Sequence, residues 1–142
     1  MVGMFCQTFR SNVRWKSGAT IGQKAEFDAY CLELVRSHDH EHYLSGLLMP
    51  KEYRGVYFAI HAFNVEIATI RDQIPRNSIQ AGRIRFQFWR DSFQSIYSAN
   101  GIDPANNQPV VHALNYYVHK YNLTSRWFER SLEARYIFDL KS

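Results

Sequence analysis

The chain has 142 residues, 46% of them hydrophobic and 15% aromatic, with only 7 glycines and 4 prolines. That composition excludes a disordered chain and allows one domain with a real core. No uninterrupted apolar run approaches the roughly 20 residues needed to cross a bilayer. The formal net charge of +4 comes from one stretch: Arg10, Arg14, Lys16 and Lys24 precede the first acidic residue, Glu26, and removing those four from the 17 basic residues leaves 13 against 13 acidic. A basic excess so confined is not the footprint of a nucleic-acid surface, and nucleic acid is set aside as a partner.

Residues 1–24 contain Arg, Lys, Ser and Thr but no Asp or Glu. Phe5, Phe9 and Val13 recur every fourth residue, which predicts one apolar helical face flanked by Arg10 and Arg14. Basic, acid-free and weakly amphipathic is the composition of a mitochondrial transit peptide. It also describes a plain basic tail, and composition alone leaves the two open. Either way the folded part begins near residue 25 and runs to 142. Cys6 lies in the presumed leader and Cys31 in the folded part, with no paired spacing, so no disulfide framework is expected.

From there the chain reads as helices joined by short breaks. Phe27, Tyr30, Cys31, Leu34 and Val35 form a helical stripe, and a short helix is expected over His40–Leu48. Pro50 suits the first turn of a long helix running to about Asp72, with Val56, Ile60, Phe63, Ile67 and Ile70 toward the core. Ile74-Pro75-Arg76-Asn77 breaks it, and Ser78 can cap the next helix, where Gly82, Phe86, Trp89, Phe93, Ile96 and Tyr97 keep the 3.6-residue period. Asn100-Gly101-Ile102-Asp103-Pro104 is a turn. Val110, Val111, Leu114, Tyr117, Val118 and Tyr121 make another stripe. Leu123 before Thr124 resembles a hydrophobic staple at a capped helix carrying Trp127, Phe128 and Leu132. No segment alternates with period two, so the fold is expected to be all-α. The stripes are broader than so few helices can cover, which points to a portion of a larger helical protein.

Three constellations invite chemistry. In His38-Asp39-His40-Glu41-His42 only His38 and His42 share a helical face; no third ligand is evident, and a solvated polar junction is the expectation. Arg71, Arg76, Arg83, Arg85 and Arg90 interleave with Phe86, Phe88 and Trp89, but the helical spacing of the rings predicts buried aromatics with arginines at the rim. Ala68 and Asp72 stand four apart. Acidic residues at both would hold Mg²⁺ bridging a diphosphate, but one is alanine and the other has Arg71 beside it, so no metal, cofactor or catalytic residue is assigned.

Tyr30-Cys31, Leu47-Leu48-Met49-Pro50, Arg54, Ala59 and Ala62-Phe63 resemble the opening of the squalene/phytoene synthase family. The resemblance implies the N-terminal part of an all-α isoprenoid-synthase fold. It also implies that the family's first aspartate-rich motif, which holds magnesium and a prenyl diphosphate, falls at Ala68 and Asp72 and is broken. Ala62-Phe63-Asn64-Val65-Glu66, Arg85-Phe86-Gln87-Phe88-Trp89, Ile96-Tyr97, Gln108-Pro109-Val110 and Asn122-Leu123-Thr124-Ser125-Arg126-Trp127 resemble a divergent, non-catalytic branch of that family. The likeness covers about Glu26 to Leu140.

That branch implies a matrix-side mitochondrial protein, peripheral to the inner membrane, whose partners are the subunits or assembly intermediates of respiratory complex I. The alternatives are a prenyl-diphosphate-binding transferase or its remnant, and a truncated product with no function of its own. Residues 1–24 fused to a reporter are expected to carry it into mitochondria in a potential-dependent way. Changing Arg10, Arg14 and Lys16 to Glu should abolish that entry, as read by fractionation or microscopy.

Overall fold

The computed structural model describes residues 21–75, 78–103 and 105–141, and throughout that range the regular structure is helical, as the periodicity requires. The helices are α1 (Ile21–His38), α2 (His40–Leu48), α3 (Lys51–Ala68), α4 (Ile79–Tyr97), α5 (Pro109–Tyr121) and α6 (Ser125–Lys141). The leader expectation, with Cys6, falls mostly on residues 1–20, outside the described residues, as do Arg76, Asn77 and Pro104. Residues 21–24 open α1, where the Lys24 ammonium pairs with Asp28. It also donates to the Tyr117 hydroxyl oxygen at 3.2 Å and lies 4.6 Å from the centre of the Tyr116 ring.

Helix α3 is the central strut, packed against α1, α2, α5 and α6. Its sequence suits that position. Ala59 and Ala62 have no exposed surface and let neighbouring helices close in, while Phe58, Phe63, Val65 and Ile67 are buried around them. The buried face is therefore wider than the expected stripe. Ile67 and Ile70 are buried as expected, but Val56 and Ile60 are only half-buried at its margin.

Two glycines permit the closest approaches. A Cβ at Gly55 would stand 1.8 Å from the Tyr117 hydroxyl oxygen of α5, and one at Gly46 would lie 2.5 Å from Phe58 Cζ. The α2–α3 corner is tied by Arg54, whose guanidinium donates to the Leu47 and Met49 carbonyl oxygens at 2.8 and 3.1 Å. A cation among the last carbonyls of a helix satisfies groups that have no partner within the helix.

Helices α4 and α6 pack together and close the other side. Phe63 of α3 meets Trp89 and Phe93 of α4 and Phe128 of α6 edge-on, at ring-centre distances of 5.2, 5.0 and 5.7 Å. Phe93 and Phe128 stack at 4.8 Å. Helix α5 ends as the sequence allows: Asn122 takes left-handed backbone (φ 53°), and both Asn122 and Leu123 donate their N–H groups to the Val118 carbonyl. This is the closure that asparagine tolerates better than most residues. Helix α6 follows directly on Thr124.

Four expectations need correction. Helix α3 stops at Ala68, short of Asp72, and the chain passes into a turn. Ser78 stands at the N-cap of α4 but makes no side-chain capping bond. Trp127 is 69% exposed rather than in the core with Phe128 and Leu132. Tyr97 lies at the surface, its hydroxyl donating to the Leu123 carbonyl oxygen at 2.9 Å.

Truncating Phe63 to alanine removes the ring that three helices share and should cost about 3–5 kcal/mol of stability. Gly55→Ala should also destabilise the chain, because the buried Tyr117 ring must leave the place from which its hydroxyl donates to Asp28. Both are read from urea or thermal melts by circular dichroism. Ile60→Ala, at the margin of the core, is the milder comparison.

Candidate functional site

The C-terminal end of α3 is where the sequence places the remnant motif, and its local structure decides what that motif can do. Thr69 follows the helix and turns its hydroxyl back to the Val65 and Glu66 carbonyl oxygens at 3.0 and 3.2 Å. Such back-bonding competes with helix continuation. The next residues tighten, with the Asp72 N–H donating to the Thr69 carbonyl oxygen at 3.1 Å. Ile74 precedes Pro75, which disfavours further helix.

Asp72 thus stands exposed in a turn, off the helical face that carries half-buried Ala68. Arg71 does not clamp it: the guanidinium donates to the Asp139 carbonyl oxygen of α6 at 3.4 Å. A methyl at 68 and an exposed carboxylate in the turn beyond do not fit the paired-carboxylate magnesium–diphosphate site, which needs carboxylate oxygens converging on the metal.

The carboxylate that does sit inside is Glu66. Roughly 200° around the helix from Ala68, it faces away from the remnant motif. The Tyr30 hydroxyl of α1 and the Gln108 side chain before α5 hydrogen-bond to it, and Arg85 of α4 acts on it through its charge. Burial nevertheless dominates and pushes its carboxyl above the usual range, with those groups pulling the other way. Arg85 donates to the Gln73 side-chain oxygen at 2.7 Å, and Gln73 donates to the Thr69 hydroxyl at 3.2 Å. The result is a polar joint binding α1, α3, α4 and the start of α5. Beside it, burial foremost raises the Cys31 thiol to about 12, so it is no nucleophile at neutral pH.

The basic, aromatic stretch resolves as its spacing predicted for Phe86 and Trp89, which are buried, while Phe88 is 40% exposed. Arg83 and Arg85 lie exposed at the rim. Arg90 pairs with Glu133 at 3.0 Å and covers the Tyr136 ring.

The histidine-rich segment behaves differently from its pattern. His38 does not join His42. Its Nδ1 lies 3.2 Å from the Leu34 carbonyl oxygen and 2.9 Å from the Ser37 hydroxyl, while His42 Nδ1 donates to Asp39 at 2.7 Å. His42 also stacks on His61 of α3, ring centres 4.1 Å apart. His61 was invisible in the sequence reading because it lies 19 positions along, on the neighbouring helix.

The regular structure of the described residues is helical, and the squalene/phytoene synthase family, an all-α isoprenoid-synthase fold, matches residues 35–141. The chain belongs to that family. It is similar to the bovine and human proteins named NADH dehydrogenase (ubiquinone) complex I, assembly factor 6, with 44% and 42% identity over 108 residues. A Drosophila melanogaster homologue of that factor is 32% identical over 109 residues. These alignments take in about three quarters of this chain (76%, 76% and 75%) but only 31–32% of each relative, so the chain spans about a third of their length. No solved structure matches the chain.

A carboxyl raised by burial opposes folding once it ionises. The penalty from Glu66 is absent below its unfolded pKa, near 4.3, grows as pH rises through the higher folded value, and is complete above it. Glu66→Gln keeps an acceptor for Tyr30 and Gln108 but removes the charge. It should raise the melting temperature at pH 7.5 and leave it nearly unchanged at pH 4, as measured by thermal melts at the two pH values.

Proposed function

We propose that this chain serves as a non-catalytic assembly factor for mitochondrial respiratory complex I, acting on the membrane-embedded part from the matrix side as a peripheral protein. The observation that carries the non-catalytic half is the end of α3: Ala68 offers no ligand, Asp72 stands exposed in the turn beyond it, and Glu66 is engaged by Tyr30 and Gln108. Ionising an allylic diphosphate leaves a highly anionic leaving group that clustered carboxylates and their metals must neutralise in the transition state. These residues do not form such a cluster.

The assembly half rests on the relatives named above. It is in keeping with a chain that carries exposed apolar side chains on α6, Trp127 and Phe138 at 69% and 62% exposure. Among the described residues no helix is long and apolar enough to cross a membrane, which agrees with peripheral attachment.

Two measurements test the reading. The purified chain with Mg²⁺ and farnesyl or geranylgeranyl diphosphate should release no pyrophosphate, and Ala68→Asp should not create the activity. Cells lacking the full-length protein should lose assembled complex I on native gels, and the full-length Asp72→Ala variant should restore it. Turnover by the unmodified chain, or failed rescue by a folded and imported Asp72→Ala protein, overturns the non-catalytic reading.

A further inference from the structure

Asp39, His42 and His61 each offer one ligand atom within 4.8 Å of the others, the one such convergence of three among the described residues. We propose that this trio is a binding site for a divalent first-row transition cation of the Zn²⁺ class, bridging α2 to α3. His61 stands seven residues before Ala68 on α3, about 10 Å along the helix axis. The site is therefore separate from the remnant motif and independent of the function proposed above.

The donor set selects the ion. Two imidazole nitrogens and one carboxylate oxygen suit Zn²⁺, Co²⁺, Ni²⁺ or Cu²⁺ and disfavour Mg²⁺ and Ca²⁺, which require oxygen cages. Three protein ligands leave a fourth position to water. Tetrahedral zinc ligands lie about 3.3 Å apart, so the Asp39–His42 pair must open from 2.7 Å while any spacing near the 4.8 Å limit must close.

The three side chains are already neighbours before any ion arrives. Asp39 is the N-cap of α2, accepting from the His42 backbone N–H at 3.2 Å. His42 Nδ1–H donates to both oxygens of the same carboxylate, at 2.8 and 2.7 Å. A bound cation would take the place of that shared proton. His61 lies between the His42 ring at 4.1 Å and the Tyr57 ring at 4.3 Å, and the two stacked imidazoles must swing apart for their in-plane lone pairs to meet on one ion. His61 itself is half-buried. His42 is exposed, so the ion has a way in.

The competing explanation for any binding is chelation by the exposed segment 38–42 alone. The test separates the two. The full chain, stripped of metal, is titrated with Zn²⁺ against a chromophoric chelator, and Co²⁺ is added in parallel to read its visible spectrum. One Zn²⁺ should bind per chain, the Co²⁺ bands should have four-coordinate intensity, and Zn²⁺ should raise the melting temperature. His61→Ala and Asp39→Asn should each weaken binding by about tenfold or more. The second variant can retain the helix cap, so it reads the site even if the first unfolds. His38→Ala and His40→Ala should leave the affinity unchanged. Binding that survives His61→Ala in a folded chain, or that fails on losing His38 or His40, identifies the exposed segment as the chelator and overturns the proposal. So does the absence of saturable one-to-one binding.

Discussion

Phe63 sits where α3, α4 and α6 meet, and the rings of Trp89, Phe93 and Phe128 are arranged around it. Edge-on contacts of this kind specify angle as well as distance, because a positive ring edge must meet a negative ring face. They set how the α4–α6 pair docks onto the strut. The opposite side of α3 is specified by the absence of bulk: Ala59, Ala62 and Gly55 admit α1 and α5, and the Tyr117 hydroxyl occupies the space a side chain at 55 would need. One helix thus has a large residue where its neighbours must interlock and small ones where they must come close.

A strut buried on several sides leaves few places for charge. Glu66 and His61 are the ionisable side chains of α3 whose pKa burial shifts most, upward for the acid and downward for the base, so both favour the neutral form. Each is accommodated by partners from other elements: Tyr30 and Gln108 for the acid, His42 for the base. These polar contacts are where α3 joins α1, α2 and the start of α5. They lend register to packing that apolar side chains alone would leave free to slide.

The helices were legible in the sequence because their apolar residues keep a 3.6-residue period; α2 begins and ends where that period and its flanks placed it. The end of α3 was not. Ile67 and Ile70 both point inward, so the pattern runs past the true boundary, and only the Thr69 hydroxyl and the approach to Pro75 show where hydrogen bonding changes. The width of its buried face was also hidden, since a helix covered by four others has no polar side to mark the limit of the stripe. Trp127 misled for the converse reason: its spacing fits the apolar face of α6, yet it stays largely exposed, with the Arg130 guanidinium 5.9 Å from its ring centre.

Of the candidate site, the residues at 68 and 72 could be read directly, because alanine and aspartate there are facts of sequence. The setting of Glu66 could not, since Tyr30, Gln108 and Arg85 reach it from three separate elements. The residues at 68 and 72 bear on the function proposed. Two carboxylates facing one cleft repel each other and stay hydrated unless a metal lies between them. That tension keeps such a cleft open and reactive. With alanine at 68 there is no such pair on α3: Asp72 stands exposed in the turn, and Glu66, on another side of the helix, is held by Tyr30 and Gln108. The end of α3 becomes a joint that holds helices together, and such a joint can persist while surfaces elsewhere, the apolar face of α6 among them, are reshaped for other uses.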